Sequence, residues 1–231
     1  MKDFVAKVKS NLDITQNRTL KVSLHEALKK TIILGEIPAG GRINEKELSD
    51  SLNISRTPIR QALEKLEEEK LVERIHGSGV IVKGISIRDA YEIYDIRKAL
   101  DTLATTKAAK KMTPEEFDEM ESLLQKADDY YKNDEIDNLL KGFRAFNQYI
   151  YDKSEMKIVP SIVIPLKEYL SYFRDLSIKS EGRSGPALKD HWIIFEGMKN
   201  KKWSKLERMI HNHLDDSLKF ILKEMERRKI E

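Results

Sequence analysis

Four side chains bring reactive chemistry to positions where the pattern calls for hydrocarbon. Arg97 stands four residues after Ile93 and three before Leu100, and Asn147 stands four after Phe143 and three before Ile150. His191 lies three after Leu188 and four before Phe195, and His213 three after Ile210. Each is a polar group inside the apolar stripe of a separate helix-period segment. Burying one without a partner would cost on the order of 1–3 kcal/mol, so any one alone reads as a satisfied core residue. Four from separate helices of one bundle point instead to a polar cavity. A guanidinium with two imidazoles matches a carboxylate, and the amide adds a hydrogen bond. The expected occupant is a small organic acid held by Arg97, Asn147, His191 and His213, the histidines gaining charge at mildly acidic pH.

A second set sits earlier. Ser55, Arg56, Thr57 and Arg60 open a helix that follows a tight turn, and their types suit DNA: arginine pairs bidentately with guanine, whereas threonine and lysine suit phosphate. The elements that position them are legible. Glu45 to Leu52 is amphipathic, with Leu48 and Leu52 one turn apart. Asn53 suits a left-handed helix end, Ile54 anchors the turn, and Ser55 caps a second helix from Arg56. This is a helix-turn-helix, whose second helix lies in a major groove. Leu24, Ala27, Leu28, Ile32 and Leu34 form a preceding helix that stops at Gly35. Val72 and the run Val80, Ile81 and Val82 flank His76-Gly77-Ser78-Gly79, which predicts a small β-hairpin with His76 and Gly77 at its tip. The sum is a winged helix over residues 20–84, preceded by a flexible arm over 1–19 with a short helix through Phe4, Val5 and Val8.

Residues 85–231 read as an antiparallel, all-α bundle that would bind the ligand and dimerise. Helices are expected at Ile87 to Lys110, after a Thr113-Pro114 start, at Glu135 to Tyr151, and at Lys157 to Ile178 with Pro160 and Pro165 disturbing its first part. Two more follow, Pro186 to Lys199 and Trp203 to Arg228. The fold class is thus mostly α, with a winged helix-turn-helix and then a helical bundle.

Composition agrees. The 231 residues carry a net charge of +3 and no cysteine, which excludes a disulfide scaffold and thiolate chemistry. Residues 1–84 hold 15 Lys or Arg against 12 Asp or Glu, and residues 85–231 hold 27 against 27, so the excess lies with the DNA-reading segment. With no apolar run of membrane length and no signal-peptide core, a cytoplasmic protein is expected.

The stretch LGEIPAGGRINEKELSDSLNISRTPIRQALEKLEEEKLVERIHGSGVIV resembles the DNA-binding domain of the GntR family of bacterial transcription regulators, most specifically in ISRTPIRQAL and LEEEKLV. The resemblance places Arg56, Thr57 and Arg60 on operator bases or phosphates, with Lys46 from the preceding helix and His76 and Gly77 from the wing. YEIYDIRKALDTLA, KDHWIIFEGMKN and ERMIHNHLDDS resemble the helical ligand-sensing domain of the FadR subgroup. Many of its members hold a divalent metal on an aspartate and three histidines. Here His191 and His213 match two histidine positions, but Asn147 stands at the third and Phe143 at the aspartate position, and phenylalanine cannot ligate a metal. The resemblance further implies a homodimer on a palindromic double-stranded operator. Its likeness to regulators of citrate fermentation makes a citrate-like acid the first choice.

Two other readings are weighed against this one. A metal-dependent hydrolase would need about three protein ligands and an acidic base; His211 lies on the far side of its helix from His213, and Asp190 and Asp216 fall off the stripes. A DNA-binding protein with no ligand would leave the four polar side chains as core.

Overall fold

The computed structural model describes residues 2–13, 19–77, 79–180 and 182–231, so Ser78 of the expected wing turn and residues 14–18 of the expected arm lie outside the described residues. The chain divides into two compact units, Met1–Ile87 with Met225–Glu231, and Arg88–Glu224.

In the first unit α1 (Lys2–Asn11) and α2 (Leu20–Ile33) are followed by β1 (Arg42–Ile43), α3 (Glu45–Leu52), α4 (Arg56–Glu68), β2 (Val72–Ile75) and β3 (Gly79–Val82). Within the arm expected over 1–19, the helix through Phe4, Val5 and Val8 is α1, and all three side chains are buried. Its last residue, Asn11, donates to Thr31 Oγ1 at 3.0 Å and Glu36 Oε2 at 3.3 Å. Lys7, between those apolar positions, and Lys9 after them face water, which is why composition alone reads as a tail. Leu24 and Leu28 of α2 and Ile59 and Leu63 of α4 are fully buried in the same unit.

The hairpin is one strand larger than expected. β3 lies between β1 and β2, pairing Ile43 with Val80 and Val72 with Val82. A two-residue strand leaves no period to read. The tail of the chain also belongs here: Ile230 occupies the space a side chain at Gly35 would need, and Arg228 Nη1 donates to Leu34 O at 3.4 Å.

Glu69, at the C-terminal end of α4, would sit unfavourably against the helix dipole. It is offset by His25 Nε2 at 3.0 Å and Lys29 Nζ at 3.1 Å, both from α2 and both buried. Burial disfavours the imidazolium of His25, but Glu26 and Glu69 outweigh it and raise its pKa. A raised folded pKa gives stability that is complete below the unfolded value of about 6.5 and lost as pH rises through the folded value. Thermal melts from pH 5.5 to 8.5 should therefore show the wild type losing stability relative to His25→Gln as pH rises; parallel curves would rule the contribution out.

The second unit is helical: α5 (Ile87–Lys111), α6 (Pro114–Lys132), α7 (Ile136–Ser154), α8 (Ile158–Ser180), α9 (Ser184–Lys199) and α10 (Trp203–Arg227), with the ends of α5 and α10 in the first unit. Thr113 and Glu116 form a reciprocal capping box at α6. Pro165 lies inside α8 without ending it. One core cluster joins Ala127, Leu139, Leu140, Phe143, Ile178, Ala187 and Leu188. Gly197 of α9 leaves room for Leu206 and Met209 of α10, bringing those helices close. Tyr94 and Ser217 hydroxyls meet at 2.9 Å, and Lys98 pairs with Asp215 at 2.6 Å, fixing α5 to α10. Among the described residues no helix is long and apolar enough to cross a membrane.

Candidate functional site

All four stripe residues come together. Arg97 of α5, Asn147 of α7, His191 of α9 and His213 of α10 line both of two small voids, of ≈ 30 and ≈ 20 Å³. A larger cavity of ≈ 180 Å³ shares Asn147, Lys167 and Arg174 with the first of them. The larger cavity is also lined by Arg144, Tyr151 and Ser171.

Two details differ from expectation. Arg97 already has an anion: Asp101, one turn on, lies 3.3 Å from Nε and 3.2 Å from Nη2, and both side chains are buried. The guanidinium also stacks 4.6 Å from the Tyr94 ring centroid. Asp101 accepts from Tyr151 Oη at 2.6 Å as well, and burial together with that carboxylate pushes the phenol pKa far up. Asn147 spends one N–H on the Phe143 carbonyl of its own helix, at 2.7 Å, so only part of its donor capacity faces the cavity.

The two histidines have fixed tautomers. His191 Nδ1 lies 2.6 Å from the Ala187 carbonyl oxygen, an acceptor, so Nδ1 carries the proton and Nε2 the lone pair. His213 Nδ1 likewise donates to Asp190 Oδ2 at 3.2 Å. Asp190, set aside in the sequence as off the stripe, is therefore the partner that orients His213. The rings meet edge to face at 4.9 Å. Burial drives His191 well below the usual imidazole value, with His213 adding to the effect. Burial also lowers His213, against the pull of Asp190. Burial thus opposes the charge that both imidazoles were expected to gain at mildly acidic pH. The charge comes from elsewhere. Lys167 of α8, with Arg174 and Arg183, lines the ≈ 30 Å³ void beside Arg97.

A divalent metal does not fit this donor set. Phe143 stacks on the His191 ring at 4.4 Å, an apolar face where a ligating carboxylate would be needed. Among the described residues no three His, Cys, Asp or Glu side chains are grouped to hold an ion. His211, half-exposed, lies 4.0 Å from Glu207 and lines none of these cavities. The histidine pair thus lacks the third ligand that a hydrolytic centre requires.

The first unit presents the other surface. Asn44 caps α3 by accepting from Lys46 N at 2.9 Å and Glu47 N at 3.2 Å. Asn53 ends it in the left-handed region at φ 55°. Ser49 Oγ donates to Ile54 O at 2.7 Å and pins the turn. Ile59, Ala62, Leu63 and Leu66 bury one face of α4, leaving Ser55, Arg56, Thr57 and Arg60 exposed on the other. Ser55 stands at the cap position but makes no side-chain cap bond, so its expected capping role is not seen. Lys46, His76 and Gly77 are exposed too, Gly77 with φ 77° at the wing turn. Arg74 of β2 reaches Glu45 at 2.9 Å and Glu67 at 3.9 Å, tying the wing to both helices. Among the described residues Arg60 pairs with Glu64 in an exposed contact at 3.7 Å, weak enough to give way to DNA.

Comparison with known proteins gives two family matches. Residues 20–82 match the model of bacterial regulatory proteins, gntR family, and residues 92–216 match the FCD domain. The chain is 28% identical over 207 residues to YdhC of Bacillus subtilis (strain 168), described as an uncharacterized HTH-type transcriptional regulator, covering 88% of this chain and 92% of that one. By fold it is similar to Lar, described as controlling expression of the Listeria monocytogenes agr system, with TM-score 0.69 at 16% identity over 90% of this chain and 99% of that one. The Escherichia coli protein McbR/YncC superimposes with TM-score 0.64 at 20% identity, over 89% of this chain and 98% of that one.

Proposed function

The chain belongs to the GntR family of bacterial regulatory proteins and carries an FCD domain, and from that premise we propose that it is a homodimeric regulator whose grip on a palindromic operator is set by a small organic acid. That it is a DNA-binding transcription regulator with an FCD ligand-binding domain, and not an enzyme, follows from the family. The acid, the dimer and the palindrome are our reading. The observation that carries it is the convergence of Arg97, Lys167, Arg174 and Arg183 on one cavity of the helical unit. Four cations around one void meet an anion better than they meet one another. A citrate-like di- or tricarboxylate is the favoured occupant.

On the DNA side, Arg56 and Arg60 would read base edges, Ser55, Thr57 and Lys46 would hold phosphates, and His76 and Gly77 would bring the wing against the duplex. One winged helix covers too little DNA for strong specificity, which favours a symmetric pair on two half-sites. Coupling has covalent routes: α5, with Arg97, follows the wing strand β3 through Lys83–Ser86, and α10, with His213, ends among residues counted with the winged-helix unit. An acid can shift operator affinity only by binding two arrangements unequally.

The test is calorimetry of citrate, isocitrate and malate on the full chain, with operator affinity measured with and without each acid and mass measured in solution. Binding of at least one acid, with a matching change in operator affinity and a dimeric mass, is expected. No heat from any acid and an unchanged operator affinity would leave a ligand-independent DNA-binding protein.

A further inference from the structure

The hydrogen-bonding needs of the inner cavity specify more than negative charge. Two of its four cations already have carboxylates: Arg97 has Asp101, and Arg174 has Asp175 at 2.8 Å. The other two differ. Among the described residues Lys167 Nζ meets the Tyr151 hydroxyl at 3.4 Å and the face of its ring, and no carboxylate forms an ion pair with it. Arg183 is buried, its Nη1 donating to Ser217 Oγ at 3.4 Å while its Nη2 has no hydrogen-bond partner among the described residues. The same void holds an orphan of opposite sense. His191 Nε2 is buried and unpartnered, and its tautomer makes it an acceptor. The cavity therefore asks for acceptors bearing two negative charges and, beside them, one donor. A water would meet the orphan donor and the orphan acceptor, but only an anion answers the two cations.

Resting on the effector reading above, we propose that the ≈ 30 Å³ void and the ≈ 180 Å³ cavity that shares Asn147, Lys167 and Arg174 with it together bind a hydroxylated polycarboxylate directly, without a metal: Lys167 and Arg183 take its carboxylates and His191 Nε2 accepts from its hydroxyl. The unbalanced amine and guanidinium supply the positive charge that a divalent ion would otherwise bring, and Phe143 closes the position such an ion would need. Burial holds the Lys167 amine down to about 7, Arg97 adding to this and Asp101 opposing it. Tyr151 and Arg144 of α7, Arg174 and Glu168 of α8, Arg183 at the start of α9, His191 of α9 and His213 of α10 are the other charged and titratable groups lining the two cavities it faces. An incoming anion favours the protonated amine, so binding at pH 7.5 takes up a proton and weakens as pH rises further.

Two matched pairs test this by calorimetry on the full chain in EDTA: citrate against propane-1,2,3-tricarboxylate, and malate against succinate, each pair differing by one hydroxyl. The hydroxylated member should bind about tenfold or more tightly, the penalty for leaving a buried acceptor unmet. Lys167→Met should lower affinity about tenfold or more and abolish the proton uptake seen as buffer-dependent heat. Arg183→Met should lower affinity similarly, but it can also unfold the helical unit, so the ligand pairs on wild type and the Lys167 variant decide. Equal binding within both pairs, binding that needs added manganese, nickel or zinc, or proton uptake that survives Lys167→Met would overturn this inference and leave the effector reading standing. Failure of all four acids to bind, with or without those metals, would overturn both.

Discussion

Asp101→Ala should lower the stability of the helical unit by about 3–5 kcal/mol, the usual cost of stripping one partner from a buried ion pair. The carboxylate answers Arg97 through two nitrogens and accepts from the Tyr151 hydroxyl, so its loss leaves a buried guanidinium and a buried phenol unmet. Both tryptophans of the chain, Trp192 and Trp203, lie within Arg88–Glu224. Their fluorescence during urea unfolding therefore reports that unit alone. A second signature follows from the proposed occupant. Citrate should raise the midpoint of Asp101→Ala more than that of the wild type, because the anion restores a missing counter-charge. A loss below about 1 kcal/mol would show that Arg97 relaxes into solvent and is not held as described.

The second large effect lies on the DNA. Arg60→Ala should cost about 1–3 kcal/mol on the preferred operator and much less on unrelated DNA, if it makes the bidentate arginine–guanine contact proposed for it. Lys46→Ala should weaken both by similar factors and reduce the slope of log affinity against log salt by about one. Both residues are exposed and neither supports the core, so each variant should melt as the wild type does. Sites selected from random sequence, followed by salt titrations, separate the two. Matching specificity losses in the two variants would refute the division between base reading and phosphate holding.

Much of this arrangement could be read in the chain, for definite reasons. Arg97, Asn147, His191 and His213 are polar exceptions within helical periods, and a period fixes which face an exception shares with the core. The turn at Asn53 was legible because few residues tolerate its backbone angles. The partners were harder. Asp101 stands at the i+4 position from Arg97, a spacing that signals an ion pair within one helix. Lys167 lies two residues beyond Pro165, where the expected kink obscured the register, though α8 continues through that proline. Arg183 precedes the first turn of α9, where no repeat exists to show burial. The contact of Asp190 with His213 joins two helices, and a period within one helix says nothing of it. The packing of α1 is hard to read for a related cause: the helix is polar overall, and three apolar residues suffice to seat it.

Because the compact body that carries the DNA-reading helix is assembled from both ends of the polypeptide, with Met225 and Ile230 among its packed residues, genetic dissection has a built-in trap. A truncated product stopping at Ile87 would not be the native module minus its sensor. It would lack a strip of its own interior, and poor operator affinity in such a fragment would report missing packing before it reported missing regulation.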